Sequence, residues 1–161
     1  MGSSAISPQL SAENLLRFTG IRALYGEAGL NKLQQAHVLI VGVGGVGSWI
    51  AEALCRSAVG TLTLIDADTI EIKNSNRQLH TTADTLGQLK VEALAARLLR
   101  INPQLNIHTR ALLLTKENII HELADCPPFA ADAIDDINAK CALINFLHQR
   151  GTCFAVSGGA G

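Results

Sequence analysis

Long apolar runs are missing from this 161-residue sequence, and its opening residues do not form the charged and then apolar pattern of an export signal. Aromatic residues make up only 4% of the chain, and a net charge of -1 provides no overall basic field to attract nucleic acid. The four cysteines include no C-x-x-C pair, which argues against a zinc knuckle or a thioredoxin-type redox site. These absences predict a cytoplasmic protein without a membrane span.

Aliphatic residues are what the sequence has in abundance, since 48% of it is hydrophobic despite the few aromatics. Short apolar runs typical of buried strands alternate with helix-like segments, which indicates crossover connections and parallel strands. The sequence therefore predicts an α/β fold with a Rossmann-like, doubly wound and mostly parallel sheet. We expect strands within residues 37–43, 61–67, 105–111, 127–135 and 151–159, and helices over residues 46–58, 85–103, 115–125 and 138–150.

Two regions are predicted along the chain. Residues 1–36 form an amphipathic helical arm that Gly20, Gly26 and Gly29 are expected to interrupt. Residues 37–161 form the Rossmann-like domain. The sequence ends on "SGGAG" directly after a strand, where doubly wound sheets normally continue, so we expect the C-terminal part of the fold to be missing.

The stretch "VLIVGVGGVGSWIAEAL" is typical of a strand, a glycine turn and the first turns of a helix. Such turns bring backbone amides close to phosphate at a helix N-terminus. Asp66 follows at the end of the next strand, 24 residues after the first glycine, where a carboxylate accepts hydrogen bonds from ribose hydroxyls. We therefore predict a nucleotide site that includes the four glycines of the turn, Gly42, Gly44, Gly45 and Gly47.

A long non-periodic segment, residues 67–85, separates the second strand from the next helix, and its length favours a functional role. It holds Asn74, Arg77 and Gln78. A dehydrogenase needs no arginine here, whereas nucleotidyl transfer requires cations on the β- and γ-phosphates, and a guanidinium can bind two phosphate oxygens at once. Lys90 is either a second such cation or an ordinary solvent-facing lysine of the following helix.

Three carboxylates lie in the stretch "DAIDD" after the fourth predicted strand. Ligands of open α/β sheets bind beyond the carboxyl ends of strands, so Asp135 is predicted to hold Mg²⁺, which takes one or two carboxylates together with phosphate and water. Asp132 is expected to bond loop amides, and Asp136 to cap the next helix. His80 is expected to be a loop histidine that bonds the backbone, and Trp49 to pack in the core or at an interface.

Five stretches in register, "GVGGVGS", "LIDADTIEIKNSNRQ", "GQLKVEA", "INP" and "DAIDD", resemble the adenylating domain shared by ubiquitin-activating enzymes and the bacterial activators of molybdopterin and thiamin sulfur carriers. The resemblance covers about residues 15–161 and implies formation of a carboxyl-adenylate from ATP and Mg²⁺. It implies three catalytic residues, Arg77, Lys90 and Asp135, the last of which holds the metal. It also implies nucleotide contacts by the glycine turn and by Asp66, Asp68, Asn74, Gln78 and, from a second subunit, Arg22 or Arg17.

The stretches "RFTGIRALYG", "NRQLH" and "SGGAG" are most similar to one branch of that superfamily, the bacterial enzymes that dehydrate threonylcarbamoyladenosine in tRNA. This similarity implies adenylation of the threonine carboxylate on a modified adenosine, followed by attack of an internal nitrogen that displaces AMP and closes a ring. It implies three partners: modified tRNA as substrate, a second copy in a homodimer, and a sulfur-relay or cysteine desulfurase protein.

Three alternatives stay open at this point. One is an adenylating activator of a ubiquitin-like sulfur carrier, although Asp136 stands where those activators usually have asparagine. The second is an NAD-binding oxidoreductase, which would not depend on Arg77. The third is a non-catalytic nucleotide-binding subunit of a heterodimer.

Overall fold

Five parallel strands form a single sheet in the structure, a computed structural model that describes residues 12–157. The strands are β1 (His37–Val41), β2 (Thr61–Ile65), β3 (Asn106–Arg110), β4 (Phe129–Asp132) and β5 (Cys153–Val156). The helices are α1 (Ala12–Arg17), α2 (Thr19–Gln35), α3 (Gly47–Arg56), α4 (Lys90–Ile101), α5 (Ile119–Glu122) and α6 (Ile137–Arg150), with a 3₁₀ helix over Ile72–Asn74. The strand order is β3-β2-β1-β4-β5, and all pairs are parallel, so the predicted doubly wound α/β sheet is confirmed.

The strand order determines where a ligand can bind. The chain moves outward from β1 through β2 to β3, and it then returns to β4 on the other side of β1. The connections that follow β1 and β4 therefore diverge and open a crevice at the carboxyl ends of these strands, the usual ligand position in such sheets. Val41 pairs with Asp132 at this end, so the glycine turn and the "DAIDD" stretch meet there.

Side chains of β1 alternate between two cores, one on each face of the sheet. Val38 and Ile40 pack with residues of α3 and α4, whereas Leu39 and Val41 pack with residues of α5 and α6. Burial on both faces explains the continuous apolar run of this strand. Each fully buried aliphatic side chain contributes about 1.5–3 kcal/mol before the entropy of ordering is subtracted. The strand that ends at the crevice is therefore packed on both faces of the sheet.

The N-terminal arm is helical over residues 12–35, but its predicted breaks are only partly right. Gly26, with a φ of +71°, interrupts the helical backbone inside α2. Gly20 and Gly29 lie within that helix, because glycine in a helix costs conformational entropy without preventing the helical backbone. Neither this arm nor any other helix between residues 12 and 157 combines the length and the apolar character needed to cross a membrane.

The apolar face predicted for the arm is only partly buried. Phe18 and Leu30 pack against Ala58, whereas Leu16, Leu24 and Tyr25 are exposed. The apolar face of the arm is therefore covered only in part, because the arm touches the domain mainly through Phe18 and Leu30. At the second of these contacts Gly60 is required, since a Cβ there would lie 1.8 Å from the Gln34 carbonyl oxygen.

Two predicted helices are shorter than expected. α4 begins at Lys90 because Thr69 and Leu89 pair as an antiparallel bridge, and Gly87 takes a left-handed backbone with a φ of +80°. Before α5, the predicted cap residue Thr115 accepts a hydrogen bond from the Glu117 amide at 3.3 Å, in a turn that precedes the helix. The predicted functional loop consequently extends to residue 89.

Candidate active site

A cavity of about 500 Å³ opens at the carboxyl ends of β1, β2 and β4. It lies at the point where the two halves of the sheet diverge, as the strand order requires. Its polar wall is formed by Gly42, Gly44, Gly45, Asp66, Asp68, Glu71, Lys73, Asn74, Arg77, Gln78, Lys90, Asp135 and Ser157. Its apolar wall is formed by Val41, Val46, Ile65, Ala67, residues 112–114, Ala133 and Ile134. A volume of this size matches the pockets that hold small ligands.

Steric contacts fix the glycine turn. Gly42 has a φ of +82°, and a Cβ at this position would lie 2.6 Å from the Ala133 carbonyl oxygen. A Cβ on Gly47 would lie 1.8 Å from the Gly42 carbonyl oxygen, so only glycine allows the helix to start this close to the strand. Gly44 and Gly45 face the cavity, where the turn meets the N-terminal end of α3.

The Asp66 carboxylate is oriented by two backbone amides at the end of β2. Its Oδ2 accepts a hydrogen bond from the Val43 amide at 2.8 Å, and its Oδ1 accepts one from the Asp68 amide at 2.9 Å. The carboxylate thereby joins the glycine turn to the start of the long loop. This is the position from which an acidic residue reaches a ribose in nucleotide-binding sheets.

Two of the cations that line the cavity differ strongly in exposure. Arg77 is exposed, and its Nη1 donates to Asn76 Oδ1 at 2.9 Å, while its backbone oxygen accepts a hydrogen bond from Trp49 Nε1 at 3.0 Å. Lys90 is only 7% exposed, and its Nζ lies 2.6 Å from Asp68 Oδ2. The alternative that Lys90 faces solvent is therefore wrong. Lys90 is the first residue of α4, and the preceding loop covers its side chain. Of the two alternatives expected for Trp49, core packing is wrong, since 57% of this residue is exposed, and packing at an interface stays a prediction.

The loop also buries polar side chains. Asn74 is buried, and its Oδ1 accepts a hydrogen bond from the Glu71 amide at 2.8 Å, which closes the 3₁₀ helix into a capping box. Gln78 is 6% exposed and lines the cavity, and its Oε1 has no hydrogen-bond partner between residues 12 and 157. A buried acceptor of this kind marks a place where a ligand donor can bind.

His80 lies beneath the cavity wall rather than in it. It is 2% exposed, and neither ring nitrogen has a partner in the described part of the chain, so the expectation that its ring bonds the backbone is wrong. Burial, with smaller effects from Lys90 and Arg97, lowers the pKa of His80 to about 4. The ring is therefore neutral at pH 7 and adds no charge next to Lys90.

The three carboxylates of "DAIDD" have separate surroundings. Asp132 is fully buried, and it accepts hydrogen bonds from the Ile134 amide at 3.0 Å and from Lys140 Nζ at 2.7 Å. Asp136 caps α6 by accepting a hydrogen bond from the Ala139 amide at 2.8 Å. Both structural expectations are confirmed. Asp135 is exposed, lines the cavity and takes part in no ion pair among residues 12–157.

The donor set around Asp135 fits Mg²⁺ better than a zinc-like metal. No cluster of three or more histidine, cysteine or acidic side chains that could hold a metal occurs between residues 12 and 157. Mg²⁺ does not require such a cluster, because it binds one or two carboxylates and takes its other oxygens from phosphate and water. A lone carboxylate on a cavity that also carries Arg77 and Lys90 meets this requirement.

A model of the ThiF family matches residues 18–161. The chain belongs to the ThiF family. It is 39% identical over 145 residues to the tRNA threonylcarbamoyladenosine dehydratase of Escherichia coli (strain K12), covering 90% of this chain and 54% of that protein. It is 41% identical over 145 residues to the enzyme of the same name from Haemophilus influenzae, covering 90% of this chain and 56% of that protein.

A solved structure of the Escherichia coli tRNA N6-threonylcarbamoyladenosine dehydratase in complex with ATP has the same fold as this ThiF chain. The two superpose with a TM-score of 0.90 at 38% identity, covering 94% of this chain and 62% of that chain. This ThiF chain therefore spans little more than half the length of the curated relatives that it matches.

Most of the predicted site residues of this ThiF chain line the cavity described above. The cavity includes three of the four glycines and all of the predicted acidic, amide and cationic residues of the domain, Asp66, Asp68, Asn74, Gln78, Arg77, Lys90 and Asp135. Gly47 does not line the cavity, but its missing side chain lets α3 start close to the strand. Arg22 lies on α2, outside the cavity of its own chain, with a 3.9 Å contact to Glu27.

Sequence reasoning missed part of the cavity wall. Glu71 and Lys73 line it and form an ion pair at 2.9 Å, and residues 112–114 supply an apolar surface after β3. The 112–114 surface had a signal, because it follows a strand at the same sheet edge as Asp66. No sequence signal indicated Lys73, because its place at the cavity depends on the 3₁₀ helix that begins at the preceding residue.

Proposed function

We propose that this ThiF chain forms the nucleotide-binding part of an ATP-dependent enzyme that adenylates the carboxylate of threonylcarbamoyladenosine in tRNA and so drives its dehydrative cyclisation. One observation carries the proposal: Arg77, Lys90 and Asp135 line one cavity together with Asp66 and the glycine turn. A dinucleotide site needs no such pair of cations, whereas a leaving pyrophosphate does. The dehydratase names of the relatives at 39% and 41% identity support the choice of substrate.

The residues of the cavity divide between the parts of ATP. Asp66 accepts hydrogen bonds from the ribose, and the apolar surface of residues 112–114 receives the adenine base. Amides of the glycine turn, with Arg77 and Lys90, hold the phosphates, while Asn74 and Gln78 supply neutral polar contacts. Mg²⁺ bound by Asp135 would neutralise phosphate charge.

The proposed reaction has two steps. A carboxylate oxygen of the substrate attacks the α-phosphorus of ATP, the bond between the α-phosphorus and its bridging oxygen breaks, and pyrophosphate leaves with the electron pair. An internal nitrogen then attacks the activated carbonyl carbon, loses its proton and displaces AMP, which carries away the carboxylate oxygen. Arg77 and Lys90 stabilise the charge that develops on pyrophosphate, so the residues act by position and charge.

No protein nucleophile is needed for this sequence of steps, and the cysteines agree with that. Burial raises the pKa of Cys55 to about 11, and burial also raises the pKa of Cys126. None of the four cysteines lines the cavity.

The homodimer belongs to the proposal as well. Arg17 donates to the Ile101 carbonyl oxygen and pairs with Glu13 at 3.0 Å, so it is engaged within its own chain. Within residues 12–157 the Arg22 guanidinium has only its 3.9 Å contact with Glu27, and it lies near the exposed Leu24 and Tyr25, which favours Arg22 as the arginine that reaches a partner's phosphates. The sulfur-relay or cysteine desulfurase partner and the cytoplasmic location stay predictions.

The deciding experiment is ATP–pyrophosphate exchange by the full-length protein with tRNA that carries threonylcarbamoyladenosine. We expect exchange with this tRNA and none with the same tRNA lacking the threonylcarbamoyl group. Exchange triggered instead by a carrier protein ending in Gly-Gly would favour the sulfur-carrier activator, and retained NADH without exchange would favour an oxidoreductase. Binding of ATP without any exchange would favour the non-catalytic subunit.

Two variants test the residues that carry the reaction. Arg77→Ala and Asp135→Ala should each lower exchange by roughly two to three powers of ten, because each removes an oriented charge from the reacting phosphates. Arg100→Ala and Asp125→Ala remove exposed charges away from the cavity and are the matched controls. Exchange that survives Arg77→Ala or Asp135→Ala, with both controls active, would contradict the assignment.

A further inference from the structure

Lys90 and Asp68 form an ion pair whose two members differ sharply in exposure. The lysine side chain is 8% exposed and the aspartate side chain 68% exposed, with 2.6 Å between Nζ and Oδ2. A buried ammonium without a partner is costly, so the carboxylate stabilises the lysine in the nucleotide-free protein. Among residues 12–157, Asp68 is the one carboxylate that pairs with Lys90.

The backbone holds both members in place. The Lys90 amide donates to the Asp68 carbonyl oxygen at 3.0 Å, and the Asp68 amide donates to Asp66 Oδ1 at 2.9 Å. The bridge between Thr69 and Leu89 joins the same two stretches of chain. The pair can therefore change only by rotation of side chains, and the exposed aspartate can turn into water more easily than the buried lysine can move.

Among residues 12–157, no carboxylate other than that of Asp68 lies within 4.0 Å of the Lys90 ammonium. His80 lies beneath it with both ring nitrogens unpartnered, and its low pKa of about 4 keeps it neutral at pH 7. Both Lys90 and Asp68 line the cavity. An anion that enters the cavity thus meets a cation whose existing partner is a single, solvent-exposed carboxylate.

We propose that Asp68 is an internal counter-ion of Lys90, which the β- and γ-phosphates of ATP or a free pyrophosphate displace. Asp68 holds the ammonium in position when the site is empty, competes with polyphosphate for it, and so favours release of pyrophosphate after the reaction. AMP, which lacks the β- and γ-phosphates, does not displace the carboxylate. Asp68 is therefore a positioning residue that acts through Lys90, and this inference rests on the proposed binding of ATP.

Calorimetric titration of the full-length protein with ATP, pyrophosphate and AMP tests whether polyphosphate displaces Asp68 from Lys90. Asp68→Asn should tighten the binding of ATP and pyrophosphate roughly fivefold, the upper end of the scale for an ion pair with one exposed member, and change AMP binding less than about twofold. Asp68→Glu keeps the charge and should behave like the unchanged protein. Asp84→Asn, which removes an exposed carboxylate of the same loop that does not line the cavity, controls for a general loss of negative charge.

A double-mutant cycle separates action through Lys90 from any other cause. In the Lys90→Met background, Asp68→Asn should leave pyrophosphate affinity unchanged. An equal gain in that background, an equal gain for AMP, or weaker pyrophosphate binding by Asp68→Asn would overturn the proposal.

A measurement on the unchanged protein covers the case in which the variants do not fold. The ¹³C resonance of the Asp68 carboxyl carbon should shift when pyrophosphate is added. An unmoved resonance in a protein that binds pyrophosphate would refute the displacement of Asp68 from Lys90. If the unchanged protein binds neither ATP nor pyrophosphate, the proposed function itself fails, whereas binding without a response to Asp68→Asn removes only this inference.

Discussion

The glycine turn and the loop of residues 66–90 form two walls of the same cavity, but different forces hold them. The turn is fixed by contacts between backbone atoms, since a Cβ at Gly47 would lie 1.8 Å from a carbonyl oxygen. The loop is held by polar contacts: Trp49 Nε1 donates to the Arg77 carbonyl oxygen at 3.0 Å, and Lys90 pairs with Asp68 at 2.6 Å. The glycine turn is therefore fixed by steric contacts, and the loop by hydrogen bonds and an ion pair.

The difference shows where the protein can respond to a ligand. At Gly42 and Gly47 the turn leaves no room for a side chain, because a Cβ there would lie 2.6 Å and 1.8 Å from a carbonyl oxygen. The loop buries three polar side chains, Gln78, His80 and Thr81, with atoms that have no partner between residues 12 and 157. Unpaired buried polar atoms reduce the stability of a segment and tend to occur at functional places. We therefore expect the loop to gain order on binding and the turn to stay as it is.

The largest effect is expected at the rigid wall. Gly47→Ala should lower the free energy of unfolding by about 3 kcal/mol or more, because the new Cβ cannot fit without moving backbone. Gly44→Ala is the matched control, since its Cβ would meet nothing closer than Gln78 Nε2 at 3.6 Å. Urea unfolding of the full-length protein measures both, and equal losses for the two variants would break the comparison.

The loop should respond to pH through His80. Its folded pKa of about 4 lies below the ordinary value of 6.5, so the unfolded chain takes up the proton first as the pH falls. Stability that is present above the unfolded pKa is then lost on acidification, by about 2 kcal/mol between about pH 7 and pH 5.

His80→Phe should flatten this slope, because the variant has no group to protonate at that place. Urea unfolding at a series of pH values measures the slope. His148→Gln, which changes an exposed histidine of α6, should leave it unchanged. A slope that persists in His80→Phe would show that other groups determine the acid sensitivity.

The smallest effect is expected at the hydrogen bond between Trp49, which follows the glycine turn, and Arg77 of the loop. Trp49→Phe keeps an aromatic ring at the start of α3 but removes the N–H that donates to the Arg77 carbonyl oxygen, a hydrogen bond of about 1 kcal/mol. ATP affinity should fall roughly fivefold, the equivalent of that energy, while the fold is retained. Calorimetric titration measures it, with Tyr25→Phe on the arm as a control. Unchanged affinity would mean that the turn and the loop hold ATP independently.

The parts of the site that were predictable share a physical cause. The glycine pattern followed by Asp66 indicated a nucleotide turn, and strand alternation placed Asp135 at the same edge of the sheet, because parallel strands end together. The burial of Lys90 could not be predicted in this way. It depends on the bridge between Thr69 and Leu89, which delays the start of α4 and covers the lysine with the loop.

The missed features also have a common origin. The ring of His80 has no hydrogen-bond partner in the described part of the chain because the surrounding elements close over it, and this cannot be inferred from a loop position. The exposed Leu16, Leu24 and Tyr25 follow a helical period that is typical of a buried face, but the arm contacts the domain mainly through Phe18 and Leu30. Periodicity shows that a face is apolar, and only the packing shows what covers it.

The sequence by itself determined the alternating elements, the parallel sheet and the glycine turn, because hydrophobic period and the missing Cβ of glycine act locally, whatever the rest of the chain does. The tertiary structure alone decided that Lys90 is buried, that Asp68 neutralises it and that, among residues 12–157, Asp135 takes part in no ion pair, whereas Asp132 and Asp136 have partners. Burial and charge pairing depend on which distant groups come together, and the folded chain alone brings them into contact.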